Sequence, residues 1–211
     1  LHHGDLFQAL YERECDIAIA YNPPQHPRMQ RRVLGQGQLM LLFDSAQWPD
    51  PPAAIPLRWL QDRDMVGLAS SGPIGDLFTN ELKRQGVSMR EVVSNQTYSL
   101  AAALTRCGAG MSVLDEFTAC ANAGGNLLAR PLEPEIGFRV ECVYLEDRPP
   151  SKAATEFIRQ FQRSLAEARE AAVNFRRQIR NGQDPVEEKR KAKAAAQAEQ
   201  ASRRNLRAAC A

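Results

Sequence analysis

The chain has 211 residues, 44% of them hydrophobic, with a formal net charge of +2. That length holds one good core or two small lobes, and the apolar content is that of an ordinary folded protein. No apolar run is long enough to span a bilayer and no signal-peptide pattern opens the sequence, so a cytoplasmic protein with no membrane partner is expected. The five cysteines, Cys15, Cys107, Cys120, Cys142 and Cys210, show neither CxxC nor Cys/His ligand spacing. A disulfide framework and a zinc site are not indicated, and no metal or cofactor is expected. A redox pair of Cys107 and Cys120 is conceivable, but nothing around them marks a lowered thiol pKa.

Taken in order, the chain opens on a helix-like stretch with Asp5 as a cap and Leu6, Phe7 and Leu10 as its apolar stripe. Asp16 to Ala20 reads as a buried strand, and Tyr21-Asn22-Pro23-Pro24 breaks it where a crevice loop is expected. Leu39 to Phe43 is a short apolar run, read as a central strand. A proline-rich loop follows, then a helical turn over Pro56 to Leu60 with Leu57 and Leu60 inward. Met65 to Ala69 is a further strand. It leads through Ser70-Ser71-Gly72-Pro73 into a helix that Gly86 closes, with Ile74, Leu77, Phe78 and Leu82 as its buried stripe.

The stretch from Glu91 to Ala119 organises the rest. It reads as a strand ending at Val93, a turn through Asn95 and Thr97, a helix to Cys107, and a second strand beginning at Met111. Leu100, Ala103, Leu104 and Cys107 share the spacing of one buried helix face, and Gly108 suits the left-handed position that ends it. A strand, helix and strand joined this tightly leave two parallel strands, and ligands of open parallel sheets sit beyond the carboxyl ends, at helix N-termini. Thr97, Tyr98 and Ser99 would then stand at the lip of a crevice, beside the matching junction at Ser70 to Gly72. Two helix N-termini side by side would seat a carboxylate. The plainer reading, that these residues only cap helices and satisfy local backbone groups, stays open.

After Met111 to Leu114 come Asp115, Glu116 and Phe117, then a short helix over Thr118 to Ala123. Phe138, Val140 and Cys142 alternate with Arg139 and Glu141, as in a strand with one exposed face. Pro149-Pro150-Ser151 starts a helix with Ala154, Phe157, Ile158, Phe161 and Leu165 on its apolar face. Beyond about Glu170 the periodicity fades. From Phe175 onward ten basic residues stand against four acidic ones, a tail of +6 that leaves −4 on the remainder. Val186 to Ala211, with only Val186 and Leu206 as large apolar residues, is expected to be a frayed, solvated helix; sequence-independent contact with phosphates is the less favoured reading.

Laid out this way, the chain resembles the effector-binding domain of LysR-type bacterial transcriptional regulators. The resemblance rests on LFQALYERECDIAIAY (Leu6 to Tyr21), IPLRWLQDRDMVGLASSG (Ile55 to Gly72), NQTYSLAAALTRCGAGMSVLDEFTA (Asn95 to Ala119) and SKAATEFIRQF (Ser151 to Phe161). It implies a two-lobed α/β fold of the type 2 periplasmic-binding-protein kind. Residues 1–62 and 137–168 would form lobe I, residues 63–136 lobe II, and residues 169–211 a basic tail. It also implies an effector in the interlobe cleft, a homo-oligomer (dimer or tetramer) and promoter DNA as partner. Carried onto this sequence, the cleft residues are Tyr21, Asn22, Ser70, Ser71, Gly72, Thr97, Tyr98, Ser99, Gly110, Met111 and Asp115. The SVLDEFTA wording is closest to the branch that responds to amino acids and opines, which would make Asp115 an ammonium partner. Family members carry a winged helix-turn-helix, a linker helix and a first βαβ segment before the matching residues. Their lack here leads us to expect a truncated chain with an incomplete, poorly packed first lobe. A periplasmic solute-binding protein of the same fold is the alternative. Catalysis is not expected, since no nucleophile elbow, P-loop, HExxH or full dinucleotide fingerprint is found and no histidine has an evident partner.

Overall fold

The computed structural model describes residues 3–67, 72–183, 185, 186 and 188. Five α-helices and eight strands alternate along them. Helix α1 (His3–Tyr11) leads to β1 (Ala18–Tyr21) and to a 16-residue strand, β2 (Met29–Asp44). After β3 (Ile55–Pro56) and a 3-10 turn over Leu57–Leu60 come β4 (Asp64–Gly67), α2 (Pro73–Gln85), β5 (Arg90–Ser94), α3 (Tyr98–Arg106), β6 (Ser112–Asp115) and α4 (Glu116–Asn122). Strands β7 (Leu127–Glu133) and β8 (Gly137–Leu145) precede α5 (Lys152–Arg180).

Strand β2 is the axis of the fold. Leu39, Met40, Leu41, Leu42 and Phe43 are all 0% exposed, and their alternation divides them between two layers. Leu39, Leu41 and Phe43 join the larger cluster, with Ile55, Leu57, Leu60, Met65, Ile74 and Phe78. Met40 and Leu42 join the other, with Val66, Ala101, Ala102, Leu114 and Ala129. A strand covered on both faces must be apolar at every position, which is why this run shows no period. Each such side chain stabilises the fold by about 1.5–3 kcal/mol through burial.

The partners of β2 change along its length. Met29–Gln38 pairs antiparallel with β8, which in turn carries β1. Leu39–Leu42 pairs with β6 and Met40–Asp44 with β7, both antiparallel, and β3 lies parallel to β7. The expected strand over Leu39 to Phe43 is thus the inner third of a longer one. Its outer part escaped notice because Gln30 to Val33 are exposed and Gly35 and Gly37 interrupt the pattern.

The expected crossover units form, with one insertion. Strands β4 and β5 are parallel neighbours, joined through α2. Strand β6 does not pair with β5; Met111, just before β6, bridges in parallel to Met65 on β4. Met111 N–H donates to the Asp64 carbonyl (2.9 Å) and Val66 N–H to the Met111 carbonyl (2.7 Å). The carboxyl ends of β5, β4 and β6 therefore share one edge. Gly110 permits the approach: at φ 151°, a Cβ there would lie 2.7 Å from the Asp64 carbonyl oxygen. Gly86 and Gly108 end α2 and α3 in left-handed conformation, as expected.

Several expectations are corrected. Helix α3 buries Ala101, Ala102 and Thr105, not the face of Leu100, Ala103, Leu104 and Cys107; Leu100 is 50% exposed and Cys107 is exposed. The close approach of α3 to Met40 and Leu42 admits only small side chains, so the helix turns its alanines inward. Asp5 lies inside α1, in its first turn, rather than capping it, and α4 starts at Glu116 rather than Thr118. Glu141 is buried, within 3.7 Å of Arg31 and 3.9 Å of Arg139. Phe157 is exposed, and the apolar face of α5 runs through Ile158. Helix α5 continues to Arg180 and buries Ala172 and Ile179, and beyond it Val186, where the solvated helix is expected to begin, is also buried. The remainder of the tail beyond residue 188 lies outside the described residues.

The orientation of α3 has a direct test. Leu100→Ala should change the urea midpoint of unfolding by no more than about 0.5 kcal/mol equivalent, whereas Ala101→Leu should cost about 1–3 kcal/mol by overpacking the contact with β2. The opposite ranking would restore the face read from the sequence.

Candidate functional site

At the shared carboxyl edge, β6 ends in Asp115, which is 1% exposed and caps α4. Its carboxylate accepts from Thr118 N–H (2.9 Å) and Thr118 Oγ1–H (2.7 Å). Burial raises its pKa from the usual carboxylate value despite those bonds. Tyr21, at the end of β1, packs edge-on against Phe138 (ring centroids 4.9 Å apart) and Tyr98 (6.1 Å), and Phe138 meets Phe117 at 6.1 Å. Burial first, and then the charge of Asp115, push the Tyr21 phenol upward.

Asn22 follows at φ 40° and ties the end of β1 to β8: its Oδ1 accepts from Arg139 N–H (2.6 Å) and its own N–H donates to the Arg139 carbonyl (3.0 Å). Beyond it a groove of about 510 Å³ opens along the segment where β2 changes partners. Glu116, Glu135, Arg139, Arg169 and Arg176 bring charges of both signs to its walls, with Gln38 and Phe138 between them. Gly37 leaves room for the side chains beside it, since a Cβ there would fall 2.6 Å from the Phe138 ring and 3.0 Å from Glu116 Oε1.

Four of the expected residues thus come together: Tyr21, Asn22, Tyr98 and Asp115. Thr97 caps α3, accepting from Leu100 N–H at 3.4 Å, and Ser99 is exposed. Gly72 precedes α2 at φ 87°. Gly110 and Met111 stand at the start of β6, at the opposite edge from Asp115, where they tie that strand to β4. Ser70 and Ser71 lie outside the described residues. The end of β4 and the turn after β5 are neighbours all the same, because buried Asn95 donates from Nδ2 to the Gly67 carbonyl (2.9 Å) and accepts from Thr97 N–H (3.1 Å). Asn95 was read only as a turn residue. Gln38, Glu116, Glu135 and Arg176 were not singled out; nothing in the spacing joins them, and only the Asp115-Glu116 pair at a strand-to-helix junction signalled a charged site.

Among the described residues Cys15, Cys107, Cys120 and Cys142 are free thiols; burial pushes Cys120 up to about 12, and its Sγ lies 3.8 Å from Met40 Sδ. Burial also raises Cys142 to about 11. Among the described residues no cluster of ligating side chains could hold a metal ion, and no helix is long and apolar enough to cross a membrane.

The raised Asp115 pKa makes folding pH-dependent with a fixed sign. The folded state holds this proton more tightly than the unfolded chain, so the stability it contributes is complete below the ordinary value of 3.8 and is lost as pH rises through the folded value. Asp115→Asn keeps a capping group and removes the ionisation. Its urea midpoint should fall less than that of the wild-type chain as pH rises out of that range, and parallel curves would contradict the burial argument.

Comparison with known proteins agrees with this architecture. The profile of the LysR substrate binding domain matches residues 1–166. The HTH-type transcriptional regulator DgcR of Pseudoalteromonas sp is 25% identical over 165 residues, covering 78% of this chain and 57% of that protein. This chain therefore spans little more than half the length of that relative. Among solved structures, the regulatory domain of Synechocystis PCC6803 CcmR in complex with 2-PG superposes with a TM-score of 0.67 at 17% identity, over 77% of this chain and 79% of that one. Full-length CbnR complexed with its target DNA gives 0.63 at 16% identity, over 77% and 58% of the respective chains. With its type 2 periplasmic-binding-like fold and a profile match over most of its length, the chain belongs to the LysR substrate-binding domain family.

Proposed function

We propose that this chain is the effector-sensing module of a LysR-type transcriptional regulator, and that its effector is a small amino-acid-like or opine-like carboxylate bound in the groove beside Tyr21, Tyr98 and Phe138. The groove carries this reading: Glu116, Glu135, Arg139, Arg169 and Arg176 all line it, so a ligand with charges of both signs finds groups of both signs there. The aromatic cluster at its rim supplies apolar surface for a side chain. Asp115 serves the site by holding α4, and with it Glu116, in place, rather than as the ammonium partner itself.

In this reading the two lobes meet at the partner change of β2. The boundary expected at residue 62 then moves to about Gln38: lobe I comprises the chain up to there together with residues 137–168, and lobe II comprises Leu39 to Ile136. A ligand touching both strands of the crossover favours one lobe arrangement over another, and that difference is the signal. In the intact regulator the signal passes through a homo-oligomer to promoter DNA, in the cytoplasm. No catalytic step is assigned to any residue.

The test is a thermal-shift and calorimetric panel of L- and D-amino acids, opines and simple carboxylates. One class should bind with a saturable rise in Tm of several degrees, as expected when ligand exceeds Kd by about a hundredfold, and that rise should be lost in Arg139→Gln. A panel in which only uncharged or purely cationic compounds bind would overturn the proposal.

A further inference from the structure

Helix α5 is longer than its packing on β8 requires. Near its start Ile158 packs with Leu34 and Cys142, and Leu165 lies over Gly35, where an added Cβ would be 2.7 Å from Leu165 Cδ2. The helix then runs on past the partner change of β2. Phe175 reaches both apolar layers, Ala172 is 1% exposed and Ile179 5%, and Val186 joins the larger core cluster. Between these anchors Arg176 points into the groove and ion-pairs with Glu116, whose side chain is 1% exposed. The Gln38 amide, oriented by its neighbours, accepts from Arg176 Nη1 (2.9 Å) and donates to Glu135 (3.1 Å). Neither Glu116 oxygen has a hydrogen-bond partner of ordinary geometry, so the Arg176 charge is what offsets its burial.

We propose that Gln38, Glu116 and Glu135 form a recognition site for a guanidinium or ammonium group, which α5 fills with its own Arg176, so that a basic amino acid entering the groove displaces the last turns of α5. The charges of the groove define the ligand. With Arg176 in place its walls carry three arginines and two glutamates; with Arg176 withdrawn they carry two of each. An amino acid with a cationic side chain matches that set, its two cations facing Glu116 and Glu135 and its carboxylate facing Arg139 and Arg169. The planar fork of a guanidinium also suits Glu116 and Gln38 together better than a point charge does. Because α5 spans the partner change of β2, its release frees the two halves of the sheet to move, which couples occupancy to shape.

This inference rests on reading the groove as a ligand site, but its test needs no natural effector. Arg176→Ala should lower Tm by about 5 °C or more by leaving Glu116 buried and unpaired. Methylguanidinium should restore much of that loss in Arg176→Ala, while leaving the wild-type chain and the double variant Glu116→Gln/Arg176→Ala unchanged. Should Arg176→Ala not fold, Arg176→Lys retains the charge and is read instead by hydrogen exchange over residues 172–180, which should quicken on adding L-arginine, as it should in the wild-type chain. Rescue that is equal in the double variant, or exchange over residues 172–180 that L-arginine leaves unchanged or slows, overturns the proposal. Binding of other amino acids to the wild-type chain, with no exchange response to L-arginine, overturns this inference and leaves the effector reading standing.

Discussion

The constraint on which this structure depends is that one strand serves two sheets. From Met29 to Gln38, β2 is held by β8, and from Leu39 to Asp44 by β6 and β7. The first segment is partly solvated and polar; the second has no exposure on either face for five residues. Helix α3 can approach that buried segment only with alanines, and α4 begins where β6 leaves it. The cleft is therefore a by-product of topology: wherever a strand changes partners, its neighbours diverge, and here they diverge over Gly37 and Gln38.

That divergence explains why charge gathers at this place. Backbone and side-chain groups along a strand with departing partners need other hydrogen-bonding groups, and Gln38, Glu116 and Glu135 stand there. Glu116 is the costly member, because a buried carboxylate requires a cation, and the nearest is supplied from 60 positions along the chain, by α5. The polar network and the long helix are thus one feature. A domain that binds ligands through such a network has its specificity set by which cation Glu116 prefers, its own or an incoming one.

How much of this was legible in the sequence follows from the range over which each signal acts. Several caps and turns are legible, namely Ser151 at the start of α5, Gly86 and Gly108 at helix ends and the Leu57 and Leu60 turn, because all depend on residues within one helical turn; Asp5, inside α1, is not the cap its position suggests. The run from Leu39 to Phe43 announced a central strand because full burial leaves no other composition. The face of α3 was misread because the amphipathic pattern favours the largest apolar residue, whereas a helix lying close on a strand favours the smallest, and only the tertiary neighbour decides. The first part of β2, with Arg31, Arg32 and two glycines, looks like a loop until β8 is beside it. Of the site, the family resemblance placed Tyr21, Asn22, Tyr98 and Asp115 together. It did not reach the Glu116 to Arg176 pair, whose members are brought together by α5 lying across the fold and carry no local motif.

The central claim is that ligand occupancy is felt on both strands of the crossover and on α5 at once. Hydrogen exchange measured segment by segment, with and without a binding amino acid, addresses it most directly. The account predicts slower exchange over Gln36 to Gln38 and over Ile136 to Arg139, together with faster exchange over residues 172–180. Protection confined to a surface away from the crossover, with those three segments unchanged, would contradict it.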